Sequence, residues 1–254
     1  MPRIEIKGKS YFFAGSFSTG KTALLFCHGA GGSHRHWLYQ LEGLKETAAP
    51  LAVDLPGHGA SGGEPASEIA TYREFLRQFS AALDLKKFVL AGHSMGGAVA
   101  LDYALHYGDS LSGLILAGCG ARLRVAPPFL EACRSGNLPT AMIDYAYGPA
   151  APAELLESAR QEMAAVPPQT FFADFTACNS FDCMERLAEI KPPVLLICGR
   201  EDQMTPPKYS RYLLERLPRA ELVELEGAGH MVMLEAPQEV NGAIASFLEK
   251  IGAA

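Results

Sequence analysis

The serine of a G-x-S-x-G motif is the strongest candidate for a reactive residue in this sequence. The motif, GHSMG, occupies residues 92–96, and its central residue is Ser94. A short apolar run precedes it at 88–91, and apolar residues recur at helical spacing from Ala98 onward. This pattern predicts a buried strand, a sharp turn and a helix. In that setting the serine lies in a strained turn with its hydroxyl exposed, the arrangement called a nucleophile elbow.

Asp202 and His230 are the predicted partners of this serine. A serine hydroxyl is a weak nucleophile until an imidazole accepts its proton, and a carboxylate then orients the imidazole and stabilises its charged form. Asp202 follows the apolar run at 194–198, and His230 ends a GAGH turn. The carboxylates that compete with Asp202 for this role are Glu201, Asp182 and Glu226. We favour Asp202 because it lies in the loop after the strand, where the third group is expected.

A glycine-rich loop supplies the remaining candidate group. Residues 28–33 read HGAGGS and follow the apolar run at 23–27. Glycines let backbone N–H groups approach a ligand without obstruction, as an oxyanion hole requires. A flexible turn is the alternative interpretation of this loop. The serine motif further along the chain favours the oxyanion hole.

A phosphate-binding pattern near the N-terminus is interpreted as a loop. Residues 15–22 read GSFSTGKT, which fits G-x-x-x-x-G-K-[ST]. That motif requires a helix beginning at its lysine. An apolar run and then the glycine-rich loop follow instead, so we predict a hairpin loop over 15–21 and a buried strand over 23–27.

Two further polar groups are given structural interpretations. Asp54 opens a loop dense in turn residues, where an aspartate usually bonds its own loop backbone. His34 and His36 form an H-x-H pair with no carboxylate or third imidazole nearby in sequence. We expect a solvated loop there rather than a metal site, and we predict no metal or other cofactor for the chain.

The order of the predicted elements places these residues together. Strands alternate with helices along most of the chain, which predicts an α/β fold with a mostly parallel twisted sheet, flanking helices and an antiparallel N-terminal edge. Functional residues that follow strands then meet at the carboxyl edge of the sheet. Residues 121–190 break this alternation with short helical patterns separated by prolines. We therefore predict a core over 1–120 and 191–254 and an inserted helical cap over 121–190.

The cap carries more aromatic residues than its short helices need for one packed face. They could pack the cap onto the core or line an apolar substrate pocket, and both roles are open. The residues that we expect at the pocket are Tyr145, Phe171, Phe172 and Phe175.

Composition narrows the classes of partner. The 254 residues carry a net charge of −6 and show no basic stripe, which argues against binding a nucleic-acid backbone. The charged N-terminus lacks the apolar core of a signal peptide, and no apolar stretch approaches a membrane span. The six cysteines include no C-x-x-C pair, so we expect buried thiols and a cytoplasmic protein. The expected ligand is a small molecule, and the oligomeric state is left open.

These motifs together resemble those of the α/β-hydrolases. The chain is similar to a cap-bearing serine carboxylesterase of that superfamily. The matching segments lie at 28–29, at 54–59 together with Ser61, and at 92–97, 199–202 and 229–230. The resemblance implies that Ser94, Asp202 and His230 form a catalytic triad and that the backbone N–H groups of Ala30 and Met95 form the oxyanion hole. Related dehalogenases and epoxide hydrolases carry aspartate at the elbow, so Ser94 argues against both.

The expected function is hydrolysis of carboxylic esters with small to medium acyl groups through an acyl-enzyme. Thioesterases, lactonases and carbon–carbon bond hydrolases of this fold share the serine, and the triad does not separate them. A non-catalytic ligand receptor on the same scaffold is a further alternative, since a fold does not guarantee turnover.

Overall fold

The computed structural model describes residues 2–17 and 20–253. A single sheet contains the strands β1 (Arg3–Ile6), β2 (Lys9–Gly15), β3 (Ala23–Cys27), β4 (Ala49–Val53), β5 (Phe88–His93), β6 (Leu111–Ala117), β7 (Val194–Gly199) and β8 (Ala220–Leu225). Their order across the sheet is β1-β2-β4-β3-β5-β6-β7-β8.

Most neighbouring strands run in the same direction. β1 pairs antiparallel with β2, and β2 with β4, whereas all the other neighbouring pairs in the sheet are parallel. Parallel neighbours require crossover connections, which here contain the helices between the strands. The predicted α/β fold with an antiparallel N-terminal edge is confirmed.

Helices occupy the connections and the C-terminus. The α-helices of the described residues are α1 (Leu38–Gly43), α2 (Ile69–Ala82), α3 (Met95–Tyr107), α4 (Pro127–Arg134), α5 (Ile143–Ala146), α6 (Ala153–Ala164), α7 (Pro168–Ser180), α8 (Pro207–Arg216), α9 (Val232–Glu235) and α10 (Pro237–Lys250). Short 3-10 helices cover His34–Trp37, Gly108–Ser110, Thr140–Met142 and Met184–Glu189. None of the helices described is long and apolar enough to cross a membrane.

Two apolar cores lie on opposite faces of the sheet. Successive side chains of β3 alternate between them, because neighbouring residues of a strand point to opposite faces. Leu25 packs in the core that contains Tyr72 of α2. Leu24 packs in the core that contains Val240 and Phe247 of α10. The central strands are therefore buried on both faces, which explains their continuous apolar sequences.

The stretch between β6 and β7 is helical. It contains α4, α5, α6 and α7, and the only β pairing within its described residues is an isolated bridge between Arg122 and Asp182. The assignment of 121–190 as a separate cap stays a prediction. Below, these residues are called the inserted segment.

The stretch that imitates a phosphate-binding motif is followed by β3 rather than by a helix. The helix N-terminus that would face a phosphate is therefore absent from the described residues that follow the motif. The hairpin predicted over 15–21 is wrong, because β4 lies between β2 and β3 in the sheet. Ser18 and Thr19 of this stretch lie outside the described residues.

The prediction of buried thiols is confirmed. All six cysteines of the chain lie in the described part, are buried and form no disulfide. Burial raises the pKa of the Cys133 thiol to about 11 and that of the Cys183 thiol to about 12. These side chains therefore act as small apolar residues of the core.

Candidate active site

Ser94 lies in a tight turn between β5 and α3. Its backbone angles are φ 52° and ψ −115°, and this positive φ is strained for a residue with a side chain. The Ser94 N–H donates to the Ala117 carbonyl at 3.0 Å, and the Ser94 carbonyl accepts from Gly97 and Ala98 at 2.9 and 3.1 Å. These bonds hold the strained turn and leave the side chain at the wall of a cavity.

The glycines of the motif are required by backbone contacts. A Cβ atom at Gly92 would collide with the carbonyl group of Gly96, and one at Gly96 would collide with the carbonyl oxygens of Cys27 and His28. A Cβ at Gly97 would lie 2.6 Å from the sulfur of Cys119. The G-x-S-x-G pattern therefore follows from the close packing of β5, the turn and the following helix.

His230 and Asp202 meet at the same edge of the sheet, as predicted. The Nδ1–H of His230 donates to Asp202 Oδ2 at 2.9 Å. Both residues are only 3% exposed. The bond fixes the tautomer of His230, and its Nε2 has no protein partner among the described residues and is free for the chemistry of the cavity that His230 lines with Ser94.

Asp202 is also bonded by its own loop. The backbone N–H groups of Met204 and Thr205 donate to its Oδ1, each at 2.8 Å, and the Thr205 hydroxyl donates to its Oδ2 at 2.8 Å. Burial alone would raise the pKa of Asp202, but the attraction of His230 and the hydrogen bonds from His230 and Thr205 lower it to about 2. The carboxylate is therefore ionised at every pH at which the fold is expected to operate.

Thr205 is a site residue that sequence reasoning missed. Its Oγ1 lies 2.8 Å from Asp202 Oδ2 and 3.2 Å from His230 Nδ1, so it touches both residues. The available signal is its position three residues after the aspartate, where a threonine hydroxyl can bond an Asx-type turn.

The backbone of His230 is fixed by the inserted segment and by His93. The N–H groups of His230 and Met231 donate to the Ala146 carbonyl at 2.9 and 3.1 Å. His93 Nε2 donates to the His230 carbonyl at 3.0 Å, and the two rings lie 4.6 Å apart. Burial and the nearby His230 lower the pKa of His93 well below its ordinary value, so His93 is a neutral donor.

The glycine-rich loop forms a turn beside Ser94. The Gly32 N–H donates to the Gly29 carbonyl at 3.1 Å, and Gly31 has a φ of +63°. Ala30 lines the cavity, while Met95 is the first residue of α3, where a backbone N–H has no partner within the helix. Neither N–H donates to another residue in the described chain. Their role as oxyanion donors stays a prediction.

The cavity measures about 650 Å³ and lies between the sheet edge and the inserted segment. Tyr145, Phe171 and Phe175 line it, as predicted. Phe172 does not, and that prediction is wrong. Successive residues of a helix point about 100° apart, so Phe172 faces away from the cavity and packs, half-buried, against the apolar core.

The prediction for His36 is also wrong. The sequence predicts a solvated loop around His34 and His36, but His36 lines the cavity and its ring lies against Gly32, which has no side chain to exclude it. Its Nδ1 is buried and has no partner in the described residues. Burial lowers the pKa of His36 to about 4, although the charge of Glu162 opposes this shift. His36 therefore presents a neutral imidazole to the cavity.

His34 and Asp54 bond each other. Asp54 Oδ1 accepts from the backbone N–H of His34 at 2.6 Å and from its ring at 2.9 Å, and Oδ2 accepts from the Ala60 N–H at 2.8 Å. Asp54 thus holds its own loop, as predicted. No group of three or more histidine, cysteine or acidic residues in the described ranges is arranged to hold a metal ion.

Known proteins resemble this chain in sequence and in fold. A sequence model of the alpha/beta hydrolase family matches residues 24–243. A protein of Agrobacterium fabrum named as a proposed carbamate hydrolase, RutD, is 31% identical over 244 residues, which cover 89% of this chain and 92% of that protein.

Two solved esterase structures are also similar to this chain. A thermophilic esterase is 32% identical with a TM-score of 0.86, and the match covers 100% of this chain and 98% of that one. An esterase from Thermogutta terrifontis with malate bound is 27% identical with a TM-score of 0.89, and the match covers 99% of both chains.

Proposed function

Because the chain belongs to the alpha/beta hydrolase family, we propose that it is a serine hydrolase that cleaves carboxylic esters with small to medium acyl groups. The observation that carries the proposal is that Ser94 and His230 line one cavity while the other ring nitrogen of His230 is bonded to a buried, ionised Asp202. These are the nucleophile, base and orienting group that acyl transfer requires.

In the proposed reaction Ser94 Oγ attacks the ester carbonyl carbon while His230 Nε2 accepts the hydroxyl proton. This transfer requires the two side chains to lie within hydrogen-bond distance when substrate is bound. The negative carbonyl oxygen binds the N–H groups of Ala30 and Met95, each of which contributes roughly 3 kcal/mol in the transition state.

The intermediate then collapses as its bond to the alcohol oxygen breaks and His230 returns its proton to that oxygen. Water, deprotonated by His230, attacks the acyl-enzyme, and Ser94 leaves with the proton. Asp202 orients His230 through both steps and stabilises its charged form without itself being protonated. No cofactor enters this scheme.

The cavity supports the proposed range of acyl groups. Its wall on the inserted segment is built from Met142, Tyr145, Met163, Phe171 and Phe175. Apolar walls of this kind favour an acyl chain or ring over a charged group. In this proposal the inserted segment acts as a cap that closes the substrate site from above.

The test is steady-state hydrolysis of p-nitrophenyl esters from acetate to laurate. The wild type should turn over the shorter members, and Ser94→Ala should lose at least about a thousandfold in kcat because the nucleophile is absent. Ser135→Ala, at an exposed serine at the end of α4, is the matched control and should keep wild-type kcat. No turnover by the wild type, or equal turnover by Ser94→Ala, would contradict the proposal.

Carbamate hydrolysis is the second candidate, and the similarity to the Agrobacterium protein favours it. A carbamate presents a carbonyl with nitrogen on one side, so the same serine and oxyanion donors would serve. Parallel assays with p-nitrophenyl carbamates and acyl-CoA thioesters separate the candidates. If kcat/KM for a carbamate exceeds that for every ester, carbamate hydrolysis is favoured and the ester proposal is contradicted.

A further inference from the structure

Asp174 is a buried carboxylate that joins the inserted segment to the oxyanion loop. It lies on α7 and is 0% exposed. Its Oδ2 accepts from the Gly31 backbone N–H at 2.7 Å and from His58 Nε2 at 2.8 Å, and its Oδ1 accepts from the Tyr72 hydroxyl at 2.6 Å. These three donors come from three separate segments, each more than a hundred residues away from Asp174 in the sequence.

The Gly31 contact acts on the turn that contains a proposed oxyanion donor. Gly29–Gly32 is closed by a bond from Gly32 to Gly29, with a positive φ at Gly31 and none at Ala30, which is the pattern of a type II turn. The central peptide unit of such a turn joins Ala30 to Gly31. In a type I turn this unit is rotated by about half a turn, so that the Gly31 N–H and the Ala30 carbonyl exchange sides. The proposed donor, the Ala30 N–H, belongs to the preceding peptide unit and is held in place through the same turn.

Asp174 selects one of these two orientations. It offers an anionic acceptor to the Gly31 N–H, whereas the rotated unit would direct the Ala30 carbonyl oxygen at the carboxylate and the two would repel. Phe171, one turn earlier on α7, packs against Gly31 so closely that a Cβ there would collide with its ring. Helix α7 therefore contacts the turn through a charge and through an aromatic ring.

The network also resists separation of α7 from the loop. His58 Nδ1 donates to the Pro56 carbonyl at 3.0 Å while Nε2 donates to Asp174, which fits an imidazolium paired with a carboxylate. Tyr72 also accepts from the Ala66 N–H at 2.8 Å. Withdrawal of Asp174 would leave a buried cation, an N–H and a hydroxyl without their acceptor.

We propose that Asp174 is a positioning residue that keeps the Gly29–Gly32 turn in its catalytic form, so that the oxyanion hole is complete only while α7 is docked. This inference rests on the proposed hydrolase function. It makes the inserted segment part of the catalytic machinery, because an opening motion that carried α7 away would also release the turn beside Ser94.

The test compares variants of one buried network. Asp174→Ala removes the acceptor for Gly31, and Tyr72→Phe disturbs the same network but leaves Asp174 Oδ2 bonded to Gly31. Asp174→Asn keeps an oxygen that can accept from Gly31 without the charge. Thr176→Ala is the control on the same helix, since its hydroxyl bonds only the Phe172 carbonyl within α7.

Each variant is assayed with the best p-nitrophenyl ester and with two inhibitors of matching chain length. One is a trifluoromethyl ketone, to which Ser94 Oγ adds as His230 takes its proton, so that the carbonyl π pair becomes a bound oxyanion. The other is the matching secondary alcohol, which has no carbonyl for Ser94 to add to and forms no oxyanion. Urea unfolding reports the stability of every variant.

Asp174→Ala should lower kcat 10- to 100-fold and change KM less than threefold. It should weaken binding of the trifluoromethyl ketone by the same factor as kcat. Asp174→Asn should lower kcat three- to tenfold. If Asp174→Ala does not fold, the kcat of Asp174→Asn tests the positioning role in its place. Binding of the secondary alcohol should change less than threefold. Tyr72→Phe should lose stability but keep kcat within threefold, and Thr176→Ala should keep both kinetic constants.

Wild-type ketone affinity and kcat in the folded Asp174 variants would overturn the positioning role, as would equal losses in Tyr72→Phe. Equal weakening of both inhibitors would also overturn it, because the defect would then not be specific to the oxyanion. A wild type that hydrolyses no ester and does not bind the ketone would instead overturn the proposed function itself.

Discussion

The Asp202 carboxylate is held by the polar groups of its own loop. Two backbone N–H groups and the Thr205 hydroxyl bond it in addition to His230, so the acceptor sites of this buried group are well occupied. The same bonds hold its pKa at about 2, well below the ordinary value. Any loss of activity above about pH 3 must therefore come from another group, since Asp202 is already ionised there.

Thr205→Val should remove the hydroxyl while keeping the shape of the side chain. Because a hydrogen bond to a buried charged group contributes about 1.5–3 kcal/mol, the free energy of unfolding should fall by about 2 kcal/mol. We expect kcat to fall about 3- to 10-fold as Asp202 and His230 lose their shared contact. Steady-state kinetics and urea unfolding measure both, with Thr176→Val as the control. Unchanged kcat with reduced stability would limit Thr205 to a structural role.

The titration of His36 should make the free energy of unfolding depend on pH. Its pKa is about 4 in the folded protein, below the value of about 6.5 expected in an unfolded chain. The folded state therefore binds fewer protons, and the stability linked to His36 is complete above about pH 6.5 and is lost as pH falls through about 4.

His36→Gln removes this titration. The free energy of unfolding of the variant should decline less steeply than that of the wild type between pH 7.5 and 4.5, as measured by urea unfolding at a series of pH values. Parallel curves for the two proteins would show that His36 titrates alike in the folded and unfolded chains.

The strand–turn–helix element around Ser94 could be predicted because its determinants are local. An apolar run, two glycines and a helical pattern lie within about twenty residues. A Cβ atom at Gly92 or Gly96 would collide with backbone carbonyl groups, which explains why both positions require glycine. Helix α7 is the opposite case. Asp174 is 143 residues from Gly31, and a single aspartate in a helix gives no sequence signal of a distant buried partner.

Gly96→Ala should damage this element, because the new Cβ would meet backbone carbonyl groups that cannot move independently of β3. We expect a loss of at least about 3 kcal/mol in stability, as for other severe core clashes, and at least about a hundredfold in kcat.

The matched control is Gly242→Ala in α10, where nothing lies within 4 Å of the new Cβ. Since alanine favours helix over glycine, this variant should gain about 0.5–1 kcal/mol and keep wild-type activity. Thermal unfolding and ester hydrolysis compare the pair, and wild-type activity in Gly96→Ala would show that the elbow tolerates a side chain.

At the scale of the whole molecule, the order of strands and helices could be predicted, since alternation along the chain implies parallel pairing and one catalytic edge. The side-chain lining of the cavity could not. Phe171, Phe172 and Phe175 are alike in sequence, and only the docked position of α7 decides that Phe172 faces elsewhere. His36 is partly buried for a similar reason, because the turn of its 3-10 helix brings it against Gly32.

Phe175→Ala should enlarge the cavity and move the chain-length optimum toward longer p-nitrophenyl esters, since its ring lines the wall. Phe172→Ala removes the same ring from the same helix outside the cavity, so its optimum should match that of the wild type. Both should lower stability, by about 3–5 kcal/mol for the more deeply buried Phe175. Identical shifts in the two variants would contradict the assigned lining.

Trapping the acyl-enzyme would show whether Ser94 is the nucleophile. The protein is mixed with excess p-nitrophenyl butyrate, quenched in acid within milliseconds and digested for mass spectrometry, alongside Ser94→Ala. The acyl-enzyme mechanism predicts a burst approaching one equivalent of p-nitrophenol where deacylation is slower than acylation, and a butyryl group on the peptide that contains Ser94. Sustained turnover with the acyl group on another residue, or an adduct and turnover that persist in Ser94→Ala, would contradict it.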